Sequence, residues 1–224
     1  GTGAQRSVED RIQALGPRLL TIFPGQTHRM HVASDVRVSL TLDDALALER
    51  DARHLTAVVP ELSRNLQIQR GNQNFNVTVV GTTANFVRVR TYTVPAGRSF
   101  TTGDDAAQRR VVVVGASVPD MFDINPLAMI GQDMSIAGVP FEVIGVLSSK
   151  GGSGGFMNPD EQVFIPLQTA RYRVMGTDRL RTVVAETAHV DSINLAMLDI
   201  ERVLRREHKI RPGDDNDFQI RRQA

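Results

Sequence analysis

Between about His54 and Pro166 the chain offers only short apolar runs, each cut by Gly, Pro, Asn or Asp, and this texture excludes long helices from its middle. The runs read as strands: Leu66 to Arg70, Phe75 to Thr82, Val111 to Val114, Asp133 to Ala137, Phe141 to Leu147 and Val163 to Ile165. Gly138-Val139-Pro140, lying between two of them, marks a hairpin turn. Only short helices fit here, around Ala84 to Arg88 and Val118 to Phe122.

The two ends have a different pattern. Ser7-Val8-Glu9-Asp10 is a capping-box-like start, after which Val8, Ile12 and Leu15 share a helix face until Gly16-Pro17 stops it. Leu19 to Phe23 reads as a strand, and Val36, Val38 and Leu40 alternate as in a half-buried one. Thr41-Leu42-Asp43-Asp44 is an N-cap signature opening a helix to about Arg53. Beyond Pro166 a helix over Leu167 to Met175 and a strand over Leu180 to Ala185 are expected. Val190, Ile193, Met197, Ile200 and Leu204 then recur at spacings of three and four, the clearest amphipathic helix in the chain, from Asp191 to Arg206. Pro212-Gly213 breaks it, and Phe218 to Ile220 closes the chain as a strand. The fold class is α+β. Residues 1–60 and 167–224 form an α+β subdomain from both chain ends, and residues 61–166 form an inserted, mostly β subdomain.

Composition removes several function classes. Apolar residues at 41% and charged ones at 23% suit a folded soluble piece, and a net charge of +1 predicts no nucleic-acid partner. The arginines near the end, from Arg202 to Arg222, lack interleaved aromatics and read as a solvated helix terminus. With no cysteine there is no disulfide framework, thiolate nucleophile or Cys-based zinc site. No run approaches the roughly eighteen apolar residues of a membrane span, and the beginning lacks the layout of a signal peptide.

Each chemical motif fails its own test. Val111 to Gly115 resembles the opening strand of a dinucleotide site, but Ala116, Ser117, Val118 and Pro119 occupy the positions where two more glycines are needed. Lys150-Gly151-Gly152-Ser153-Gly154-Gly155 is followed by Phe156-Met157 rather than by the Lys and Ser or Thr of a P-loop. His28 and His31 are spaced like metal ligands without a third ligand, and Asp214-Asp215-Asn216-Asp217 lacks the pattern of a calcium loop and reads as solvated. Ser117 and Ser153 lie in no nucleophile motif. Asp104 and Asp105 are expected to point apart into water. The absence of Trp and the presence of only two Tyr count against a sugar-binding platform. The reading therefore assigns no catalytic, metal or cofactor residues.

Several segments taken in order resemble the extracytoplasmic core domain of MacB-like ABC-transporter permeases. They include Gly1 to Gln5, Arg11 to Gly16, Leu19 to Gly25, Thr41 to Ala45, Val79 to Thr83, Ala96 to Phe100, Val111 to Gly115, Asn125-Pro126 with Ile130-Gly131, Phe141 to Leu147, and Val163 to Pro166. Within them Gly81, Gly97, Gly115, Gly131, Gly145 and Pro166 are expected to serve backbone geometry. The chain departs from the family at Pro17-Arg18, where Asn is common, and at Met121 to Ile124, a loose version of its turn.

The resemblance implies a porter-like α+β subdomain with an inserted, sabre-like β subdomain, lying on the periplasmic side of a bacterial inner membrane. It implies a non-catalytic domain that couples cytoplasmic ATP hydrolysis to extracytoplasmic movement for efflux or export. The implied partners are a nucleotide-binding domain, which holds ATP and magnesium, a second permease copy, a periplasmic adaptor and an outer-membrane duct. Partner contact is expected at two turns of the β subdomain, Gly71-Asn72-Gln73-Asn74 and Lys150-Gly151-Gly152-Ser153, the second of which reads more readily as a passive hinge or disordered connector. The rival readings are a lipoprotein-releasing permease domain with an acyl-binding groove, and a stand-alone periplasmic hydrolase with a pocket of titratable groups.

Overall fold

A computed structural model of the chain describes residues 18–29, 32–37, 40–151 and 158–223, and their side chains except at 26–29 and 32–37. The expected helix over Ser7 to Leu15 lies outside the described residues. The first elements are β1 (Leu19–Pro24), β2 (Gln26–Arg29), β3 (Val32–Arg37), β4 (Leu40–Thr41), α1 (Leu42–Asp51) and β5 (Leu55–Arg70). Then come β6 (Gln73–Thr82), α2 (Phe86–Val89), β7 (Ala96–Gly97), α3 (Thr102–Ala106), β8 (Val111–Val114), α4 (Val118–Met121), α5 (Pro126–Met129), β9 (Asp133–Ile136), β10 (Val139–Val146), β11 (Val163–Pro166) and α6 (Leu167–Thr169). A π-helical turn over Ala170–Met175, β12 (Arg179–Leu180), β13 (Thr182–Thr187), α7 (Ile193–Glu207) and β14 (Phe218–Arg222) complete the order. By packing, the chain divides into two units: Gly1–Pro60 with Arg179–Ala224, and Glu61–Asp178.

In the first unit the strand order is β14, β1, β13, β5. β1 is antiparallel to both neighbours, with Leu20 opposite Ala185 on one side and Arg222 on the other. All six residues of β13 are buried, as expected for a strand covered on both faces. α1 begins with a complete capping box: the Thr41 hydroxyl accepts from the Asp44 N–H at 3.4 Å, and the Asp44 carboxylate accepts from the Thr41 N–H at 3.0 Å. α7 buries Ile193, Ala196, Ile200, Val203 and Leu204 and packs on α1. Its inward stripe thus uses Ala196 and Val203, whereas Val190 is 39% exposed in the turn before the helix and Leu195 and Leu198 face water.

In the second unit the strand pairings close on themselves. Residues 61–70 of β5 pair antiparallel with all of β6, from Glu61 opposite Thr82 to Arg70 opposite Gln73. β6 runs parallel to β11, β11 antiparallel to β8, β8 parallel to β10, and β10 antiparallel to β9. β9 returns to β5 through Ile68 opposite Ile136. Six strands therefore form a ring without a free edge, which removes the unpaired N–H and C=O rows that make open sheets sticky. Phe86 stacks on Phe164 at 4.8 Å and on Phe100 at 5.4 Å, with Tyr92 edge-on to both Phe86 and Phe164.

Two features depart from the sequence reading. β5 begins at Leu55, not Leu66: Pro60 and Asn65 lower strand propensity locally, but pairing with β6 from Glu61 onward, and with β13 on the other side, overrides it. The second crossing between units falls after Asp178, not Pro166. Residues 167–178 pack with the β unit because α6 contacts β6 and α3, and Ala170 lies where a Cβ on Gly81 would be, 2.3 Å away.

Glycines let backbones meet in this unit. Gly145 of β10 lies opposite Gly97 of β7, and a Cβ on Gly145 would stand 2.1 Å from the Arg98 carbonyl oxygen. Gly145→Ala is expected to lower the unfolding free energy by about 3 kcal/mol, since backbone must move to admit the methyl. Equilibrium denaturant unfolding checks this.

Candidate functional site

Val111 to Gly115 supplies a structural turn. β8 is buried throughout, flanked by β11 and β10. The Gly115 N–H donates to the Gln162 carbonyl at 2.8 Å, and the Ser117 N–H donates to that of Asp160 at 2.9 Å. A Cβ on Gly115 would lie 2.4 Å from the Asp160 carbonyl oxygen. The space that a dinucleotide fingerprint reserves for pyrophosphate is filled here by the chain itself, and the helix that follows has only four residues.

The two expected partner-contact turns are built differently. Gly71 and Asn72 form the two-residue connection of the β5–β6 hairpin, with Gly71 at φ +59°, while Gln73 and Asn74 already belong to β6. The Gln69 side chain donates to the Gly71 carbonyl at 3.0 Å. At the other turn, the buried Asp160 carboxylate accepts from the Ser149 hydroxyl at 2.6 Å and from the Lys150 N–H at 2.7 Å. The Asp160 N–H in turn donates to Asn158 at 3.0 Å, so this one residue fastens both roots of the glycine-rich stretch. Lys150 Nζ donates to the Arg90 carbonyl and to Thr91 Oγ1, and sits 4.3 Å from the Tyr92 ring centroid. Burial, then Arg90, pushes the Lys150 ammonium below its ordinary range, and burial pushes the Tyr92 hydroxyl up to about 12. Gly151 donates to Ser149 Oγ at 3.1 Å, whereas Gly152 and Ser153 lie outside the described residues. Of the remaining motif positions, Gly131 follows α5 at φ +86° and Pro166 ends β11 opposite Thr82.

Charge is concentrated elsewhere, on helix ends. His208 lies between two carboxylates, its Nε2 2.8 Å from Asp44 Oδ2 and its Nδ1 2.7 Å from Asp217 Oδ1, all three side chains nearly buried. Asp44 is the capping residue of α1, His208 follows α7, and Asp217 precedes β14. The Asp44 bond raises the His208 pKa to about 9; burial opposes it, and Asp217 adds to it. The second unit repeats the device at Thr101-Thr102-Gly103-Asp104. Asp104 completes the capping box of α3 and accepts from Arg98 at 2.9 Å and Arg109 at 2.8 Å. Burial pushes its carboxyl up, but the bonds from Thr101, Arg98 and Arg109 prevail and hold it at about 2. His54 bonds Asp199 on α7 through both its N–H and Nδ1.

Both clusters correct the expectation of solvated side chains at Asp104-Asp105 and at Asp217, while Asp214 and Asp215 are exposed as expected. Asp105 accepts from the Gln168 N–H at 2.8 Å, and Asp217 is 7% exposed. The pattern at Thr101 to Asp104 matches the one at Thr41 to Asp44, so the first correction was legible from spacing; the pairing of His208 with two distant aspartates was not. Among residues whose side chains are described, no group of three His, Cys, Asp or Glu is placed to hold a metal ion; the His28 and His31 side chains fall outside that set.

The folded imidazolium of His208 has a pKa above the unfolded value of 6.5, so its stabilisation is complete below pH 6.5 and disappears as pH rises through about 9. A fall in stability of up to about 2 kcal/mol between pH 7 and 10, less whatever solvent screens, is expected. His208→Gln should flatten that slope while lowering stability at pH 7. Thermal melts across pH on both proteins check it.

The comparisons with known proteins agree with this architecture. The model of the MacB-like periplasmic core domain matches residues 1–203. The macrolide export ATP-binding/permease protein MacB of Azoarcus sp. strain BH72 is 30% identical over 226 residues, covering 100% of this chain and 33% of its own length. That of Bdellovibrio bacteriovorus is 29% identical over 220 residues, covering 97% and 33%. The chain therefore spans about a third of these curated relatives. Among solved structures, the periplasmic region of MacB from Actinobacillus actinomycetemcomitans aligns with a TM-score of 0.74 at 21% identity, over 93% of this chain and 90% of that one. The extracellular domain of the ABC-type transporter YknZ from Gram-positive bacteria aligns equally well, at 20% identity over 91% and 99%. Both support the α+β fold. With the family model matching most of its length, this chain belongs to the MacB-like periplasmic core domain family.

Proposed function

We propose that this chain is a mechanical relay in an ABC-transporter permease: a non-catalytic domain on the periplasmic side of the inner membrane that converts cytoplasmic ATP hydrolysis into movement for export. Family membership supports the transporter setting and the periplasmic side. The observation that carries the mechanical reading is the placement of charge. In each unit a buried capping-box aspartate, Asp44 or Asp104, is also gripped by cations from elsewhere in that unit, which makes each a body that moves without deforming. A transmitter requires such stiffness, together with a surface whose contacts differ between its two states.

In this reading ATP and magnesium belong to a nucleotide-binding partner domain, a second permease copy completes the transporter, and an adaptor leading to an outer-membrane duct receives cargo. The hairpin tip at Gly71 to Asn74 and the stretch from Lys150 to Ser153 are the proposed contact surfaces. The β5–β6 pairing holds the first, and Asp160 and Tyr92 hold the root of the second.

The chain has no cysteine, so introduced ones are the only labelling sites within this domain, and any cysteine elsewhere in the transporter is first replaced by serine. In the membrane-embedded transporter carrying this domain, a spin label at Leu127→Cys, 72% exposed, reports the distance between copies. Labels at Leu46→Cys and Leu198→Cys, both exposed, report the interior spacing of the first unit. The copy-to-copy distance is expected to shift between ATP-bound and nucleotide-free states while the interior distance stays fixed. An unchanged copy-to-copy distance, or a deforming unit, would sink the proposal.

A further inference from the structure

The chain leaves α2 through a left-handed cap closed by two bonds. The Thr91 N–H donates to the Arg88 carbonyl at 3.1 Å and the Tyr92 N–H donates to that of Val87 at 2.8 Å, a pattern that places Thr91 in the left-handed region. Its φ is +59°. Glycine is usual at this position, because it has no Cβ to crowd the neighbouring backbone. α3, α4 and α7 end in the same two bonds, with Gln108, Asp123 and Lys209 at φ +52°, +55° and +53°. Those three are unbranched at Cβ. Among the described residues Thr91 is the only β-branched one at positive φ, the case in which a left-handed backbone is strained.

Strain of this kind persists only where the surroundings over-determine it. Here they reach Thr91 from 59 residues away, through one side chain. Lys150 Nζ donates to the Arg90 carbonyl and, at 3.0 Å, to Thr91 Oγ1, and it stands 4.3 Å from the Tyr92 ring centroid. The Thr91 hydroxyl donates to the same Arg90 carbonyl at 2.6 Å, and Arg90 is itself held, its Nε donating to Glu61 at 2.7 Å. Three successive residues of the turn therefore share one ammonium. Ser148 and Thr93 exchange bonds at 2.9 and 3.0 Å, so the lysine is carried to the turn on a fixed base. On the inner side Tyr92 lies edge-on to Phe86 and Phe164.

We infer that Lys150 is a latch on a strained two-state turn. With its ammonium in place Thr91 stays left-handed; with the ammonium withdrawn Thr91 relaxes, the two cap bonds open and Tyr92 shifts against Phe86 and Phe164. The trigger rests on the contact surface proposed at Lys150, whereas the latch does not. Burial and the Arg90 guanidinium both disfavour the ammonium where it stands, and its partners there are a carbonyl, a hydroxyl and a ring, none of them charged. A partner that presents a carboxylate to Lys150 offers a stronger bond and draws the ammonium out. Contact at Lys150 is thereby felt in the aromatic core of the second unit, through an element with two discrete arrangements.

Amide hydrogen exchange on the 224-residue chain tests the latch apart from the transporter. Lys150→Met keeps a stem over the Tyr92 ring and removes the ammonium. Protection of the Thr91 and Tyr92 amides is expected to fall about tenfold, while that of Val113, fully buried in β8, is unchanged. In a Thr91→Gly background, where the left-handed turn is unstrained, the same change should lower protection no more than about twofold. Unchanged protection in Lys150→Met overturns the inference. So does an equal loss in the Thr91→Gly background, which would make the lysine an ordinary bond, or a loss shared by Val113, which would make the effect one of global stability. Because these readings need no second copy, the latch and the relay fail separately.

Discussion

A protonated imidazole between two carboxylates sits at the junction on which the first unit depends. His208 bonds Asp44 through one ring nitrogen and Asp217 through the other, so a charge that burial alone would expel is fully satisfied. Asp44 also accepts the Thr41 N–H, which links the start of α1 to the end of α7 and the entry to β14. The magnitudes separate this cluster from its neighbours. Removing one partner of a buried pair costs about 3–5 kcal/mol, because the other charge is left unpaired. Surface pairs such as Arg50 with Asp51 contribute far less, because water screens both charges.

The second unit is held by closure. β9 pairs both β10 and β5, so every strand in the ring has at least two neighbours and the long hairpin of β5 and β6 is held close to its turn. The close approaches at Gly97, Gly115 and Gly145 are parts of that closure, because each brings two backbones to a distance that no side chain could share. Asp104 plays the role here that Asp44 plays in the first unit, accepting its own helix cap and two arginines. The result is a stiff frame that includes the β5–β6 hairpin almost to its turn.

These features bear on function in one direction. The perturbed titratable groups Asp44's partner His208, Asp104 and Asp199 all fasten helix ends within a unit, and Lys150 and Tyr92 fasten the root of a loop. A reactive centre would instead converge such groups on a space for substrate. A domain organised around fastening suits the transmission of movement proposed for it.

Local information in the sequence determined the class and the elements. Thr41 to Asp44 specified a capped helix, the three-and-four spacing specified α7, and Val111 to Gly115 specified a buried strand ending where only glycine fits, since each depends on neighbours within a few residues. What spacing could not reach is what distant residues decided. Pairing with β6 carries β5 back across Asn65 to Glu61, and β13 is its partner on the other side; Gly81 draws Ala170, and with it residues 167–178, to the β unit. His208 finds Asp44 164 residues away and draws Asp217, the last residue of an otherwise exposed acidic loop, into the same buried cluster. Propensity and periodicity act over one turn or one strand, while burial of charge and closure of a sheet are settled only when the whole unit packs.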